Sequence, residues 1–188
     1  MFIQTEQTPN PQTLKFLPGK VVMDEGTAFY QNIDEATDSP FARRLFAVEG
    51  VEGVFFGSDF ITITKNNSYE WQVMKPSVLG GIIDHFNSED KTVEKNASKE
   101  AESSLKKNED DSDIVKQIKE LLDTRVRPAV AMDGGDIIYN DFADGVVYLK
   151  MQGACSGCPS STATLKMGIE NMLKHYIPEV QEVRPVDA

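Results

Sequence analysis

The stretch GVVYLKMQGACSGCPSSTATLKMGIENML, residues 145–173, joins a predicted strand, a cysteine loop and a predicted helix. The β-branched and aromatic residues of GVVYLKM predict the strand, and apolar residues at helical spacing after the loop predict the helix. Between them stand Cys155 and Cys158, the two cysteines of the chain. Two thiols at this spacing fit a redox pair, one half of a metal site, or simple packing.

The sequence around this stretch predicts an α-β-β-α-β unit over residues 113–188. IVKQIKELLDTRVR has one apolar helical face, begins after Ser112 or Asp113 as the cap, and is predicted to stop at Pro128. DIIYNDF and GVVYLKM are predicted to pair as a hairpin through residues 143–145, and VQEVRPV predicts a last strand. Helices packed on a small sheet are the expected result.

Residues 1–87 predict a second small α/β unit. FIQTEQ and TLKFL are predicted strands, and TPNPQT between them is interpreted as a rigid turn rather than a site. SPFARRLFAVEG predicts a helix with Ser39 as N-cap and Pro40 at its first position. VEGVFFGSDFITITK predicts a hairpin, and the helix of WQVMKPSVLGGIIDHF is expected to become regular only at Pro76. The hairpin is expected to place three aromatic residues in the core on both its sides: Phe55, Phe56 and Phe60.

A charged segment, residues 88–112, separates the two units. It holds 13 charged residues among 25, with Val93 and Leu105 as its sizeable apolar side chains. Such a segment buries too little to offset its ordering entropy, so we predict a disordered linker that lets the domains move independently. A helix is the weaker alternative, because Val93, Ala97, Ala101 and Leu105 recur every four residues. The predicted fold class is therefore α+β, with two small α/β domains and a flexible charged linker.

Composition narrows the class of function. A net charge of −11 argues against nucleic acids and anionic membranes as partners. With 40% apolar residues, the chain has no apolar run near the roughly 18 residues that a membrane span requires. Its first residues, MFIQTEQTPNP, have neither the basic start and apolar core of a secretory signal nor an Arg-rich transit pattern. We therefore expect a bacterial cytoplasm, or the mitochondrial matrix if this is a processed eukaryotic chain.

The residues around Cys155 and Cys158 favour a functional site over packing. Gly153 and Gly157 permit positive φ and let backbone N–H groups approach an anion. The start of the helix adds N–H donors and is expected to lower the thiol pKa. A thioredoxin-like dithiol is a genuine rival. However, Pro159 follows the second cysteine directly, and the 30 residues after it are too few for the rest of a thioredoxin sheet.

A metal site would need ligands beyond the two thiols. His175 is expected to lie about 20 Å along the helix from its start, and His85 is interpreted as a helix-end residue of the other domain. Asp133 and Asp136 offer hard oxygen donors, poorly suited to a thiolate centre, and MDGGD around them is interpreted as a turn. A symmetric dimer would bring together two CxxC loops and four thiolates. Either a [4Fe–4S] cluster or a zinc ion would accept that set.

RPAVAMDGGDI, residues 127–137, and the opening stretch strongly resemble the C-terminal domain of NifU, found in the Nfu-type iron–sulfur proteins. TPNPQTLKFLPG, SPFARRLFAVEGVEGVFFGSDFITITK and WQVMKPSVLGGIIDHF are similar to the N-terminal Nfu domain. This two-domain order is typical of mitochondrial and alphaproteobacterial members. The resemblance implies that Cys155 and Cys158 bind a [4Fe–4S] cluster shared between subunits, which the protein then passes to apo-proteins.

We therefore expect an iron–sulfur carrier or scaffold rather than an enzyme. Its expected partners are a second copy of the chain on cluster binding, apo iron–sulfur client proteins and upstream assembly factors. A thiol–disulfide oxidoreductase and a zinc-bridged interaction module are the alternatives. Recognition of clients by residues 1–87 is a hypothesis that rests on the family and on the linker.

Overall fold

The computed structural model describes residues 1–88, 90–93, 112–157 and 159–186. Its strands are β1 Gln4–Gln7, β2 Thr13–Leu17, β3 Ala28–Tyr30, β4 Val51–Phe56, β5 Ile61–Lys65, β6 Gly135–Ala143, β7 Val146–Gly153 and β8 Glu182–Val186. Its helices are α1 Pro40–Phe46, α2 Trp71–Asn87, α3 Asp113–Leu121, α4 Arg127–Met132 and α5 Pro159–Tyr176. Within the described ranges, no helix has the length and apolar character that a membrane crossing requires.

The first unit is a five-stranded sheet in the order β1-β2-β5-β4-β3, with helices on one face. The predicted β4–β5 hairpin is confirmed, and β1 and β2 on either side of the TPNPQT turn also pair antiparallel. Helix α1 begins as predicted, because the Ser39 hydroxyl accepts a hydrogen bond from the Ala42 N–H at 3.0 Å. The helix-facing core is dominated by fully buried aromatic and branched side chains, including Phe16, Phe41, Phe56, Ile61 and Ile63.

The expectation that α2 becomes regular only at Pro76 is wrong, because the helix starts at Trp71. Pro76 lacks the N–H that would bond to the carbonyl of Gln72. Both residues lie on the exposed side of the helix, so water can solvate that carbonyl. Trp71 packs the first turn against the sheet, because its ring lies edge-on to that of Phe16 on β2, with 6.4 Å between centroids. Packing therefore outweighs the local cost of the proline.

The second unit confirms the predicted α-β-β-α-β order. Strands β6 and β7 pair antiparallel through a two-residue turn, and β8 adds parallel to β7. The turn residues Asp144 and Gly145 have φ values of 52° and 79°, as a tight hairpin turn requires. A separate core lies between this sheet and its helices, with Ile118, Ile137, Leu149, Leu173 and Val183 fully buried. The α+β fold class is thus confirmed.

The predicted stop at Pro128 is wrong as well, because the helical path continues to Met132. A π-helical turn, Leu122–Val126, separates α3 from α4, and the N–H of Arg127 reaches back to the carbonyl of Leu122. This wider turn lets the chain absorb the proline, whose ring would otherwise clash with the carbonyl four residues earlier. The extra helical turn carries the chain to the MDGG turn beside the cysteine loop.

The predicted linker falls mostly outside the described residues, which omit residue 89 and residues 94–111. Its described beginning lies on the first unit. The side chain of Val93 packs against that core, and the Arg44 guanidinium lies 3.4 Å from the Asp90 carboxylate. The first unit therefore includes residues that the sequence assigned to the linker. The boundary at residue 112 stays a prediction.

The prediction that the two units move independently is wrong for this structure, because the outer face of the first sheet packs on the second unit. Lys15, Thr62 and Phe55 lie side by side on β2, β5 and β4. They point away from the helix-covered face, yet they are only 7%, 1% and 1% exposed. We call these three residues the outer row. A two-layer domain normally leaves such a face to solvent, and here the second unit covers it.

We expect the folded protein to lose stability as the pH falls from about 6.5 toward 5, because His85 binds a proton less readily in the folded than in the unfolded chain. The ring is 3% exposed and stacks on Phe41, with 3.7 Å between centroids. Burial, and next the charge of Arg44, lower its pKa from 6.5 to about 4, against the opposing effect of Asp90. The unfolded chain therefore takes up this proton first, which favours unfolding below pH 6.5.

Thermal melts between pH 7.5 and 5 measure this effect. The decline in melting temperature should flatten in His85→Phe. It should persist in His175→Gln, because His175 is exposed near the end of α5. A decline as steep in His85→Phe as in the parent protein would contradict the assignment to His85.

Candidate metal centre

Cys155 lies on the loop between β7 and α5 and is 5% exposed. Its thiol packs directly on the backbone of Gly135, the first residue of β6. A Cβ atom at position 135 would lie 2.5 Å from the Cys155 Sγ and 2.8 Å from the Gln152 carbonyl oxygen. Only a glycine leaves room for the thiol in this position.

Gly153 brings the cysteine loop equally close to the MDGG turn. Its φ is +62°, and a Cβ atom there would lie 2.7 Å from the carbonyl oxygen of Gly134. The same Cβ would lie 3.0 Å from the ring of Phe55, which belongs to the first sheet. Three segments therefore meet at the base of the loop: β7, the start of β6 and the outer row.

The backbone N–H groups of the loop are already bonded within the protein. The N–H of Ala154 donates to the Gly134 carbonyl at 3.2 Å, and the N–H of Cys155 donates to the Gln152 carbonyl at 3.3 Å. Ser156 closes a tight turn onto the carbonyl of Gly153 at 3.1 Å. We expected these N–H groups to face an anion. For these three the expectation is wrong in this conformation, because loop closure uses them.

The thiol environment also differs from expectation. Burial, and next the charges of Asp133 and Asp136, raise the pKa of Cys155 to about 12. The lowering expected from the helix start is therefore wrong for this cysteine. Nucleophilic thiols in exchange enzymes have depressed pKa values and lie near positive charge. Cys155 in this conformation has the opposite surroundings, which disfavour the thiolate that both thiol exchange and metal binding require.

Asp136 of the MDGGD sequence is a buried anchor rather than a solvent-facing turn residue. Arg127 donates to its two carboxylate oxygens at 2.9 and 2.8 Å, a bidentate pair across the helix-to-strand turn. Arg127 also contacts Asp123 at 3.2 Å. Thr27 of the first unit donates to Asp136 at 3.0 Å. The turn interpretation is correct, but the sequence held no signal for this network.

A cavity of about 350 Å³ opens beside the thiol. Its lining comes from the cysteine loop, from α5 and from the first unit: Pro9, Asp133, Ala154, Cys155, Ser160, Thr164 and Leu165. The side-chain amide of Asn10 donates to the carbonyl of Ser156 at 3.2 Å. TPNPQT, interpreted as a rigid turn, thus also contacts the cysteine loop, and only its position in the assembled fold shows it.

The other candidate ligands are placed as expected. His175 lies near the far end of α5, about 24 Å along the axis from the start of that helix. His85 is in the last turn of α2. Across the described parts of the chain, no three His, Cys, Asp or Glu side chains are grouped to hold a metal ion. Cys158 lies outside the described residues, so its role stays a prediction.

Comparison with known proteins gives two family matches. Residues 3–89 match the family described as scaffold protein Nfu/NifU N terminal, and residues 118–184 match the NifU-like domain. The human NFU1 iron–sulfur cluster scaffold homolog, mitochondrial, is 53% identical over 188 residues, with 99% of this chain and 72% of the human protein covered.

Two further relatives come from a plant and a fly. NifU-like protein 4, mitochondrial, of Arabidopsis thaliana is 50% identical over 186 residues, which cover 97% of this chain. The NFU1 iron–sulfur cluster scaffold homolog, mitochondrial, of Drosophila sechellia is 53% identical over 187 residues, which cover 99% of this chain. The chain spans 65% of the length of each of these two relatives.

Proposed function

Because the chain belongs to the Nfu/NifU-like family of iron–sulfur cluster scaffold proteins, we propose that it binds a [4Fe–4S] cluster through Cys155 and Cys158. Two copies of the chain share the cluster, each contributing its CxxC pair. The protein then passes the cluster to apo iron–sulfur proteins and performs no turnover chemistry of its own.

One observation carries this proposal for the present chain. The thiol of Cys155 sits on a strand-to-helix loop, against a glycine backbone and at the edge of a cavity of about 350 Å³. An inert core cysteine would not need a glycine beneath it and an opening beside it. The loop is fixed at its base, because the Thr162 hydroxyl also donates to the Cys155 carbonyl at 3.0 Å.

The number of thiols supports sharing between two copies. The chain has two cysteines, whereas a [4Fe–4S] cluster in a protein takes four thiolate ligands. Two loops around a single cluster supply that set. Few ligands per chain also make the cluster releasable, because thiolates of a client can replace them one at a time.

The buried pair between Arg127 and Asp136 has a supporting role in this proposal. It ties the first residue of α4 to the start of β6, where Gly135 underlies the thiol. A rigid base keeps the thiol in place when the partner thiolates leave. The cluster itself is cargo, supplied by upstream assembly factors and received by clients.

The compartment follows from the relatives by inference. The human, plant and fly proteins are named as mitochondrial. We propose the mitochondrial matrix for this chain if it is eukaryotic, and the cytoplasm if it is bacterial. Recognition of clients by the first unit belongs to the same proposal.

Anaerobic reconstitution with ferrous iron and sulfide tests the proposed function. We expect a brown protein with about four irons and four sulfides per dimer, and a shift from monomer to dimer on size exclusion. A colourless, zinc-loaded dimer would support the interaction module instead. A metal-free monomer with thiol-exchange turnover would support the oxidoreductase. Protein incubated without iron is the control for dimers formed through intermolecular disulfides.

A further inference from the structure

The outer row joins the first sheet to the backbone that supports the cysteine loop. The hydroxyl of Thr62 donates to the carbonyl of Gly134 at 2.6 Å. The ammonium group of Lys15 donates to the last carbonyls of α4, those of Ala131 and Met132, at 3.0 and 3.1 Å. A cation at the carboxyl end of a helix is well placed, since the last carbonyls have no partner within the helix.

The Lys15 side chain is shielded from water while the two units are in contact. It is 7% exposed, and its ammonium lies 4.6 Å from the centre of the Phe60 ring. Its nearest carboxylate, that of Glu6, is 3.8 Å away and half exposed. The carbonyls of α4 are therefore the closest hydrogen-bond partners of this buried cation. Such a contact forms only between the two units.

The first unit also contacts the cysteine loop directly. Pro9 forms one wall of the cavity beside Cys155, and Asn10 holds the Ser156 carbonyl from the same side. Asn10 is 2% exposed, so this turn is enclosed between the units. In the shared-cluster arrangement, a loop from a second copy must approach the Cys155 thiol. The turn of the first unit forms one side of the cavity that opens beside this thiol.

We infer that the outer row and the Pro9–Asn10 turn form a cover that must separate from the cysteine loop before a second copy can share a cluster with it. This inference rests on the proposed function. The outer face of the first sheet is then an interaction surface. Its partner is the cysteine-loop side of the second unit of the same chain. The covered protein is the monomeric form without a cluster, and the uncovered one is competent to dimerise.

The interface between the two units is polar, as expected of a contact that can open. Hydrogen bonds between the described parts of the two units run from side chains of the first unit to backbone carbonyls and to Asp136, and each unit has its own core. Interfaces between domains that move are more polar than permanent ones. Residues 94–111 join the units, and a chain of that length can span about 60 Å when extended. Separation therefore needs no unfolding of either core.

Paired variants test the cover in the full-length protein. Lys15→Met with Thr62→Val removes three hydrogen bonds to the second unit and keeps side-chain volume. Thr64→Val is the matched control, because Thr64 is two residues further along β5 on the same face. We expect iodoacetamide to alkylate Cys155 of the metal-free double variant at least fivefold faster than in the parent protein. In Thr64→Val the rate should stay within twofold.

X-ray scattering of the metal-free parent monomer is the second measurement, with the double variant for comparison. It should show one compact particle, whereas the double variant should show a larger radius of gyration. Two separated lobes in the parent protein, or equal alkylation rates in parent and double variant, would overturn the cover. If the double variant fails to fold, each single variant is tested in the same way.

Cluster loading separates this inference from the proposed function. The double variant should take up a cluster about fivefold faster and end with the same iron per dimer as the parent protein. Loading at equal rates would reject the cover and leave the function intact. If no form of the protein takes up iron and sulfide, the proposed function fails. The alkylation and scattering results would then still show whether the first unit covers the cysteine loop.

Discussion

Cys155→Ala and Cys158→Ala are each expected to lose the cluster almost completely, with less than about a tenth of the iron of the parent protein after reconstitution. Each substitution removes two of the four thiolates from a dimer, because both copies carry it. Cluster-dependent dimerisation should disappear with the iron. Iron and sulfide assays with size exclusion measure both effects.

The fold must survive for this result to be meaningful. Cys155 is part of the core of the second unit, so its truncation removes one buried atom and should cost about 1–2 kcal/mol. Circular dichroism and melting of the metal-free protein check that cost. Ser156→Ala is the control between the two cysteines, since Asn10 contacts its backbone carbonyl rather than its side chain. Full cluster content in either cysteine variant would refute the shared-ligand proposal.

Gly135→Ala is expected to lower the free energy of unfolding by about 3 kcal/mol and to reduce cluster content by more than half. The new methyl group would lie 2.5 Å from the Cys155 thiol and 2.8 Å from the Gln152 carbonyl oxygen. The carbonyl belongs to a paired strand and cannot move freely. The thiol must therefore shift, and with it the loop that presents it.

Gly168→Ala is the matched control for this substitution. Gly168 lies in the middle of α5, where a Cβ atom would meet nothing within 4 Å. Alanine is the better helix former, so this variant should gain about 0.5–1 kcal/mol and keep its full cluster content. Urea unfolding of the metal-free proteins, with iron assays after loading, compares the two. A Gly135→Ala protein as stable and as well loaded as the parent would contradict the close packing under the thiol.

Most secondary structure could be predicted from local patterns. Alternating apolar residues and turn chemistry identified both hairpins, and the Ser39–Pro40 pair identified the start of α1. The two wrong helix boundaries concern proline, at positions 76 and 128, and strand β3 was not predicted. In each case the local rule predicts a boundary, but the helix continues because its apolar face packs on a sheet and the disturbed backbone stays solvated or widens into a π-helical turn.

The candidate site was only partly predictable. The CxxC spacing and the glycines of the loop predict the position of the proposed site, because close backbone approach requires glycine and soft-metal binding requires thiols. The surroundings of the thiol come from residues far away in the chain. Asp136 and Asp133 approach it from the MDGG turn, and Pro9 from the first unit. No spacing rule relates these residues.

The sequence by itself determined the α-β-β-α-β order, the family and the pair of cysteines, because hydrophobic period, turn residues and thiol count are local properties of the chain. Only the tertiary structure decided that Cys155 is buried with a raised pKa, and that Lys15 and Thr62 close the first unit over its loop. Burial and long-range hydrogen bonds depend on which surfaces meet. A charged linker suggested independent domains, but the polar groups of the outer row find their partners on the second unit.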